Sequence, residues 1–138
     1  MYIPEFFRSR VVLTPQTTAT AYGAYLAPTP GIKSVTLRVI VTMGNDTDLP
    51  ISLKTADDAT GTNSVDFTNV PFFINGIRQV DGHSTTIAAP SGTFIVDFCI
   101  MPGQIPQGKT IGIAYGASNV ANFIVAEIIE DTVYKPAN

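Results

Sequence analysis

The stretch from Val35 to Met43 constrains this chain more than any other. Val35, Leu37, Val39, Val41 and Met43 alternate with Thr36, Arg38, Ile40 and Thr42. A period of two places five apolar side chains on one face of a β-strand and a mostly polar set on the other. The segment is therefore expected to be a strand with one face in a core. Gly44-Asn45-Asp46 stops it. Leu49, Ile51 and Leu53 then repeat the alternation, with Ser52 and Lys54 outward. The two segments are expected to form a hairpin with a loop of a few residues.

The same signal recurs along the chain. Arg10 to Thr14 reads as a short strand ended by Pro15, and Thr17 to Ala27 as a polar, small-residue stretch closed by the turn Pro28-Thr29-Pro30-Gly31. Ala56 to Ser64 is a polar loop, and Val65 and Phe67 resume the alternation. Pro71 demotes the start of Val70–Ile74 to an edge or bulge. Asn75-Gly76 is the strongest hairpin signal, because both residues tolerate positive φ. Ile77 to Val80 is the expected return strand, and His83 to Ala88 another polar strand. Phe94, Val96, Phe98 and Ile100 face one way, and Ile111, Ile113 and Tyr115 follow after a Gly/Pro loop. In Asn122–Glu130, Ile124, Ala126, Ile128 and Glu130 share one face and Phe123, Val125, Glu127 and Ile129 the other. Its Ile, Val and Phe content favours a strand over a helix. About eight strands at roughly ten-residue spacing, with no substantial helix, predict an all-β, antiparallel two-sheet sandwich or a barrel. Residues 1–10 read as an N-terminal arm, 11–130 as one domain and 131–138 as a tail.

Composition narrows the function. Charged residues are 14% of the chain, against ~25% in ordinary soluble domains. A small domain so poor in charge is expected to cover part of its surface with another protein. The net charge of -3 leaves no basic footprint for nucleic acid. No apolar run reaches the length of a membrane-spanning helix, and the first ten residues lack the apolar core of a secretory signal. One cysteine, Cys99, excludes an internal disulfide and cysteine-cluster zinc sites. Synthesis in a reducing cytoplasm follows as the expectation, and the sequon Asn45-Asp46-Thr47 then carries no glycan.

Gly103-Gln104-Ile105-Pro106-Gln107-Gly108-Lys109-Thr110 matches G-x-x-x-x-G-K-[ST], the phosphate-binding P-loop. Such a loop needs a helix that begins at the Lys-Thr pair, so that its amides hold phosphate. Residues 109–116 read KTIGIAYG, a strand-like run with two glycines. The expectation is a loop between two core strands, with Lys109 exposed at a strand start. His83, Cys99 and Asp97 could in principle supply base, thiol and acid, but no spacing links them. Cys99 reads as an inert, half-buried thiol and His83 as a surface residue. Asp46/Asp48 and Asp57/Asp58 could hold calcium, yet the second pair lacks the calcium-loop spacing and the distal glutamate, and aspartates beside Gly, Asn and Thr read as turn formers. Tyr22, Tyr25, Phe72 and Phe73 could make a stacking surface for sugar, but aromatics in a sandwich are more often core. No catalysis and no cofactor or metal is expected.

Residues 49–74, LPISLKTADDATGTNSVDFTNVPFFI, together with FIVDFCIMPGQIPQGKTIGIAYGAS and NFIVAEIIEDTVYK, resemble the jelly-roll cement (decoration) proteins of tailed bacteriophages. The resemblance runs from about Val35 onward. It implies a jelly-roll sandwich on the outer surface of an icosahedral head, bridging subunits of the major capsid protein and pairing with its own copy as a homodimer, or as a trimer. The mechanism would be interfacial, each copy adding buried area across capsomer boundaries against internal DNA pressure. On the residues themselves, Tyr2, Ile3, Phe6, Phe7, Arg8 and Arg10 form an apolar, basic arm that either closes the chain's own sheet or docks on capsid or a second copy. The alternative is a phage receptor- or carbohydrate-binding module that uses loop 56–64 and the aromatics.

Overall fold

The computed structural model describes residues 7–88 and 91–131. Eleven strands follow one another: β1 (Phe7–Thr17), β2 (Tyr22–Leu26), β3 (Ser34–Met43), β4 (Leu49–Ala56), β5 (Val65–Asp66) and β6 (Phe72–Ile74), then β7 (Ile77–Arg78), β8 (Ser84–Ile87), β9 (Gly92–Ile100), β10 (Thr110–Tyr115) and β11 (Asn122–Asp131). One turn of 3₁₀ helix, Pro102–Gln104, is the only helical element among the described residues.

The strands form two antiparallel sheets packed as a sandwich. One runs β1-β11-β3-β9-β6-β7 and the other β2-β10-β4-β5, with β8 also paired to β4. Eight strands have four residues or more. Numbered by themselves in chain order, they interleave as first-eighth-third-sixth in one sheet and second-seventh-fourth-fifth in the other. That order is the double Greek key of a jelly roll. The short strands β5, β6 and β7 are an excursion between β4 and β8. β4 shares one edge between two partners, β8 along Leu49–Ser52 and β5 along Lys54–Thr55.

The alternation written in Val35–Met43 is realised residue by residue. Val35, Leu37, Val39, Val41 and Met43 are all at most 1% exposed, and they face Leu49, Ile51, Leu53, Ile111 and Ile113 of the opposite sheet in one core. Each fully buried side chain of this size contributes ~1.5–3 kcal/mol, so the centre of the sandwich outweighs any surface term. Asn75 and Gly76 form the expected two-residue hairpin, with φ of 49° and 79° and Ile74 opposite Ile77.

Two expectations are corrected. The segments Val35–Met43 and Leu49–Leu53 do not pair: β3 and β4 lie in different sheets, and the loop between them crosses the sandwich. Alternation reports which side of a strand is buried, and both strands bury one side whichever sheet they join. Pro15 does not end the first strand. β1 lies at the edge of its sheet, and register shifts on either side of Leu13 absorb the proline that a central strand would reject. Within the expected arm, residues 7–10 close the chain's own sheet, one of the two roles open to them: Phe7 to Arg10 pair with Asp131 to Ile128.

Candidate functional site

Three connections meet at the end of the sandwich where β1 begins and β11 ends. They are the β2–β3 turn (27–33), the β4–β5 loop (57–64) and the β9–β10 loop (101–109). Register brings them together: Ile111 opposes Leu26, Thr110 opposes Ala56, and Ser34 opposes Asp131. Between them lies a cleft of about 480 Å³ walled by Pro28, Pro30, Ile32, Pro102, Ile105 and Pro106, with Asp57 and Lys109 on its rim.

A buried carboxylate fixes one wall. Glu130 shares its strand face with Ile124, Ala126 and Ile128 and is fully buried. Its Oε1 accepts from Arg10 Nε at 2.7 Å and from the Thr29 hydroxyl at 2.9 Å, and its Oε2 accepts from the Thr29 amide at 2.6 Å. Arg10 also donates to the Ala27 carbonyl at 2.7 Å. Burial pushes the Glu130 carboxyl up, but the Thr29 amide, Arg10 and the Thr29 hydroxyl outweigh it and hold the group below the usual carboxylate range. The result is a clamp joining β1, β11 and the Pro28–Gly31 turn.

The P-loop-like stretch forms the opposite wall. Gly103 and Gln104 lie in the 3₁₀ turn, and a strand, β10, starts directly after Lys109 where a phosphate-binding loop requires a helix. Lys109 Nζ donates to Asp57 Oδ1 at 2.7 Å. The Thr110 hydroxyl, buried, donates to the carbonyls of Ala56 and Asp58. Both side chains that would serve a nucleotide instead pin the β4–β5 loop. Lys109 is half exposed as expected, but it is ion-paired.

That loop is satisfied from within. Asp58 accepts from the amides and hydroxyls of Thr60 and Thr62, and those bonds, led by the two hydroxyls, lower its pKa to about 2. Lys109 first, then Asn63, lower Asp57. Asp58 acts as a turn former that bonds the neighbouring backbone, as its sequence neighbours suggested, whereas the Asp57 carboxylate bonds the side chains of Lys109 and Asn63. Asn45 behaves like Asp58: its side-chain oxygen accepts from the amide and hydroxyl of Thr47. At the far end of the sandwich, buried Asn122 ties two loops by binding the Asn45 amide and the Thr47 carbonyl of one and the Ser118 hydroxyl of the other.

The remaining candidates are scattered. His83 approaches Asp66 beside the five-stranded sheet at 3.4 Å, whereas Cys99 and Asp97 lie on β9 of the other sheet. Burial raises the Cys99 thiol pKa. Phe72 stacks on Phe98 in the core, and Phe73 lies under Arg78. Tyr25 covers Gly112 and Gly61, and Tyr22 leans on Tyr115. The four aromatics named in the sequence share no platform. Tyr2, Ile3 and Phe6 lie outside the described residues. Phe7 opens β1 opposite Asp131, Arg8 opposes Glu130 and is exposed, and Arg10 is held in the clamp.

The sequence reading missed this clamp. Its signal was the placement of Glu130 on an apolar strand face, where a carboxylate persists only with a charged or hydrogen-bonding partner. No protein-family model matches the chain, and no curated protein matches it.

Proposed function

We propose that this chain is a structural virion protein that decorates an icosahedral phage head. It adheres to the outer surface, bridges subunits of the major capsid protein and performs no catalysis. The observation that carries the reading is the strand order of the sandwich, the jelly roll that recurs in viral capsid and lectin domains. Fold alone is an analogy, and two features support it. Lys109, Thr110, Asp57 and Asp58, the side chains of the P-loop-like stretch and of one calcium candidate pair, are engaged in holding loops. Edge strand β1, which the apolar segment Tyr2–Phe6 precedes in sequence, begins at the same end as the proline-walled cleft.

In this reading the N-terminal segment and the adjoining loops supply the capsid contact. Many copies, each adding modest buried area, reinforce the shell together, as multivalent contacts do. The experiment is co-sedimentation of purified chain with expanded, empty heads. A chain lacking residues 1–6 keeps all of β1 and should fold with an unchanged melting curve, yet lose occupancy at least ~10-fold, the equivalent of one well-buried contact. Undiminished occupancy would remove the segment from the mechanism, and absence of binding by the full chain would overturn the function.

A further inference from the structure

The outer face of the six-stranded sheet is apolar for a surface. Val11 is 58% exposed and Phe123 46%, and Ile40, Val125 and Ile129 are half-buried beside them. A shallow hollow of about 100 Å³ lies among Val11, Ile40, Val125, Arg38 and Glu127. One row of charges crosses this face. Glu127 of β11 opposes Arg38 of β3, which opposes Asp97 of β9. Arg38 binds Asp97 through two nitrogens, at 2.8 and 3.2 Å. Among the described residues Glu127 has no ion pair.

We propose that this face docks a second copy of the chain, face to face, with the Glu127 carboxylate of each copy against the Arg38 guanidinium of the other. The face is self-complementary about a two-fold axis that runs along the strands between β11 and β3. Such an axis lays β11 of one copy over β3 of its partner. Register puts Glu127 level with Arg38 and Val125 level with Ile40. The axis therefore sets each Glu127 on an Arg38 and each Val125 on an Ile40, and the two contacts repeat by symmetry. Arg38 then holds Asp97 within its own chain and a carboxylate across the interface, using donors that the first pair leaves over.

The area suffices. Strands β1, β11, β3 and β9 contain 11, 10, 10 and 9 residues. At ~3.3 Å per residue and ~4.8 Å between strands they offer roughly 600 Å² per copy. Two copies bury about 1,200 Å², the lower bound for a stable interface. The face is separate from the cleft end, so self-association can be tested without heads, and its failure is distinguishable from failure of head binding.

The test is sedimentation equilibrium of the full chain at about 100 µM, a concentration that populates a micromolar dimer. The parent should sediment at twice its 14.7 kDa. Glu127→Arg and Val125→Lys should each raise the dissociation constant at least ~10-fold while keeping the parent's circular dichroism. An equimolar mixture of Glu127→Arg and Arg38→Glu chains should regain the dimer that neither forms alone. If Arg38→Glu does not fold, the first two variants decide. A monomeric parent, or dimers that survive both Glu127→Arg and Val125→Lys, would overturn the proposal.

Discussion

Glu130 and Arg10 stand 120 residues apart in the chain and 2.7 Å apart in the fold. The Glu130 side chain is fully buried in β11, while the Arg10 side chain on β1 is 27% exposed. Between them they decide where the first strand lies, because the same pair also grips Thr29 and Ala27 of the β2–β3 turn. The asymmetry of exposure sets the cost of breaking the pair. Removing Arg10 strands a buried charge, whereas removing Glu130 leaves a guanidinium that water can reach.

Arg10→Ala should therefore destabilise the chain by ~1–3 kcal/mol, the penalty for a buried group that loses a charged partner. Glu130→Gln sets an NH2 group against the N–H of either Arg10 or Thr29, but it leaves no buried charge without a partner and should cost less. Urea unfolding of both variants checks the order. Equal midpoints for Arg10→Ala and the parent would show that the clamp is not a stabilising feature.

The same carboxylate gives a pH dependence with a defined sign. The folded pKa of Glu130 lies below its ordinary value of 4.5, and that of Asp58 falls from 3.8 to about 2. A lowered folded pKa means that the unfolded chain binds protons first as pH falls. The stability these groups contribute is present above the ordinary values and is lost as pH falls through the folded ones. The melting temperature should drop as pH falls from about 4.5 towards about 2. Glu130→Gln and Asp58→Asn should each flatten that slope. A melting temperature that rises with acidification would contradict the assignment.

How far the sequence discloses this fold depends on what each residue reports. Val35 to Met43 report their burial directly, because side-chain alternation is a local property of a strand. Asn75-Gly76 reports its turn for the same reason, through backbone conformations that few other residues adopt. The partner of a strand is not local. Nothing in Gly44-Asn45-Asp46 distinguishes a hairpin from a passage between sheets, and the structure takes the passage. Strand β2 was hidden because its buried side chains are few: Gly23 and Ala24 offer little to read, and Tyr25 packs outward over Gly112. The clamp was half legible. Alternation places Glu130 with the apolar set, but the identity of its partners, Arg10 and Thr29, emerges only from the long-range pairing of β1 with β11 and the path of the following turn.

Gly112 illustrates a constraint visible only in three dimensions. A β-carbon there would sit 2.4 Å from the Tyr25 ring and 2.3 Å from the Ala24 carbonyl oxygen. The ring could shift, but the neighbouring backbone cannot without loss of the β2–β10 ladder. Gly112→Ala is expected to destabilise by ~1–3 kcal/mol, as overpacking does. That corresponds to a melting temperature several degrees lower. Gly103→Ala, where an added carbon would have open space, is the control and should leave the curve unchanged. Identical curves for the two variants would refute the close approach.

Lys109 and Thr110 separate the structural role of their loop from the nucleotide role that its spacing imitates. In a phosphate-binding loop the lysine carries the function, and its loss abolishes binding. Here Lys109 meets Asp57 on the surface, half exposed, and surface pairs are weak. Thr110 is buried, and its hydroxyl joins Ala56 and Asp58. Thr110→Val should therefore lower stability by ~0.5–1.5 kcal/mol for the lost hydrogen bonding, and Lys109→Ala should change it less. Calorimetry of the parent with ATP and magnesium should show no binding tighter than about 1 mM, equivalent to ~4 kcal/mol. Binding tighter than that, abolished by Lys109→Ala, would restore the nucleotide reading. Without such binding, the stability order of the two variants identifies Thr110 as the fastener of the β4–β5 loop at the cleft.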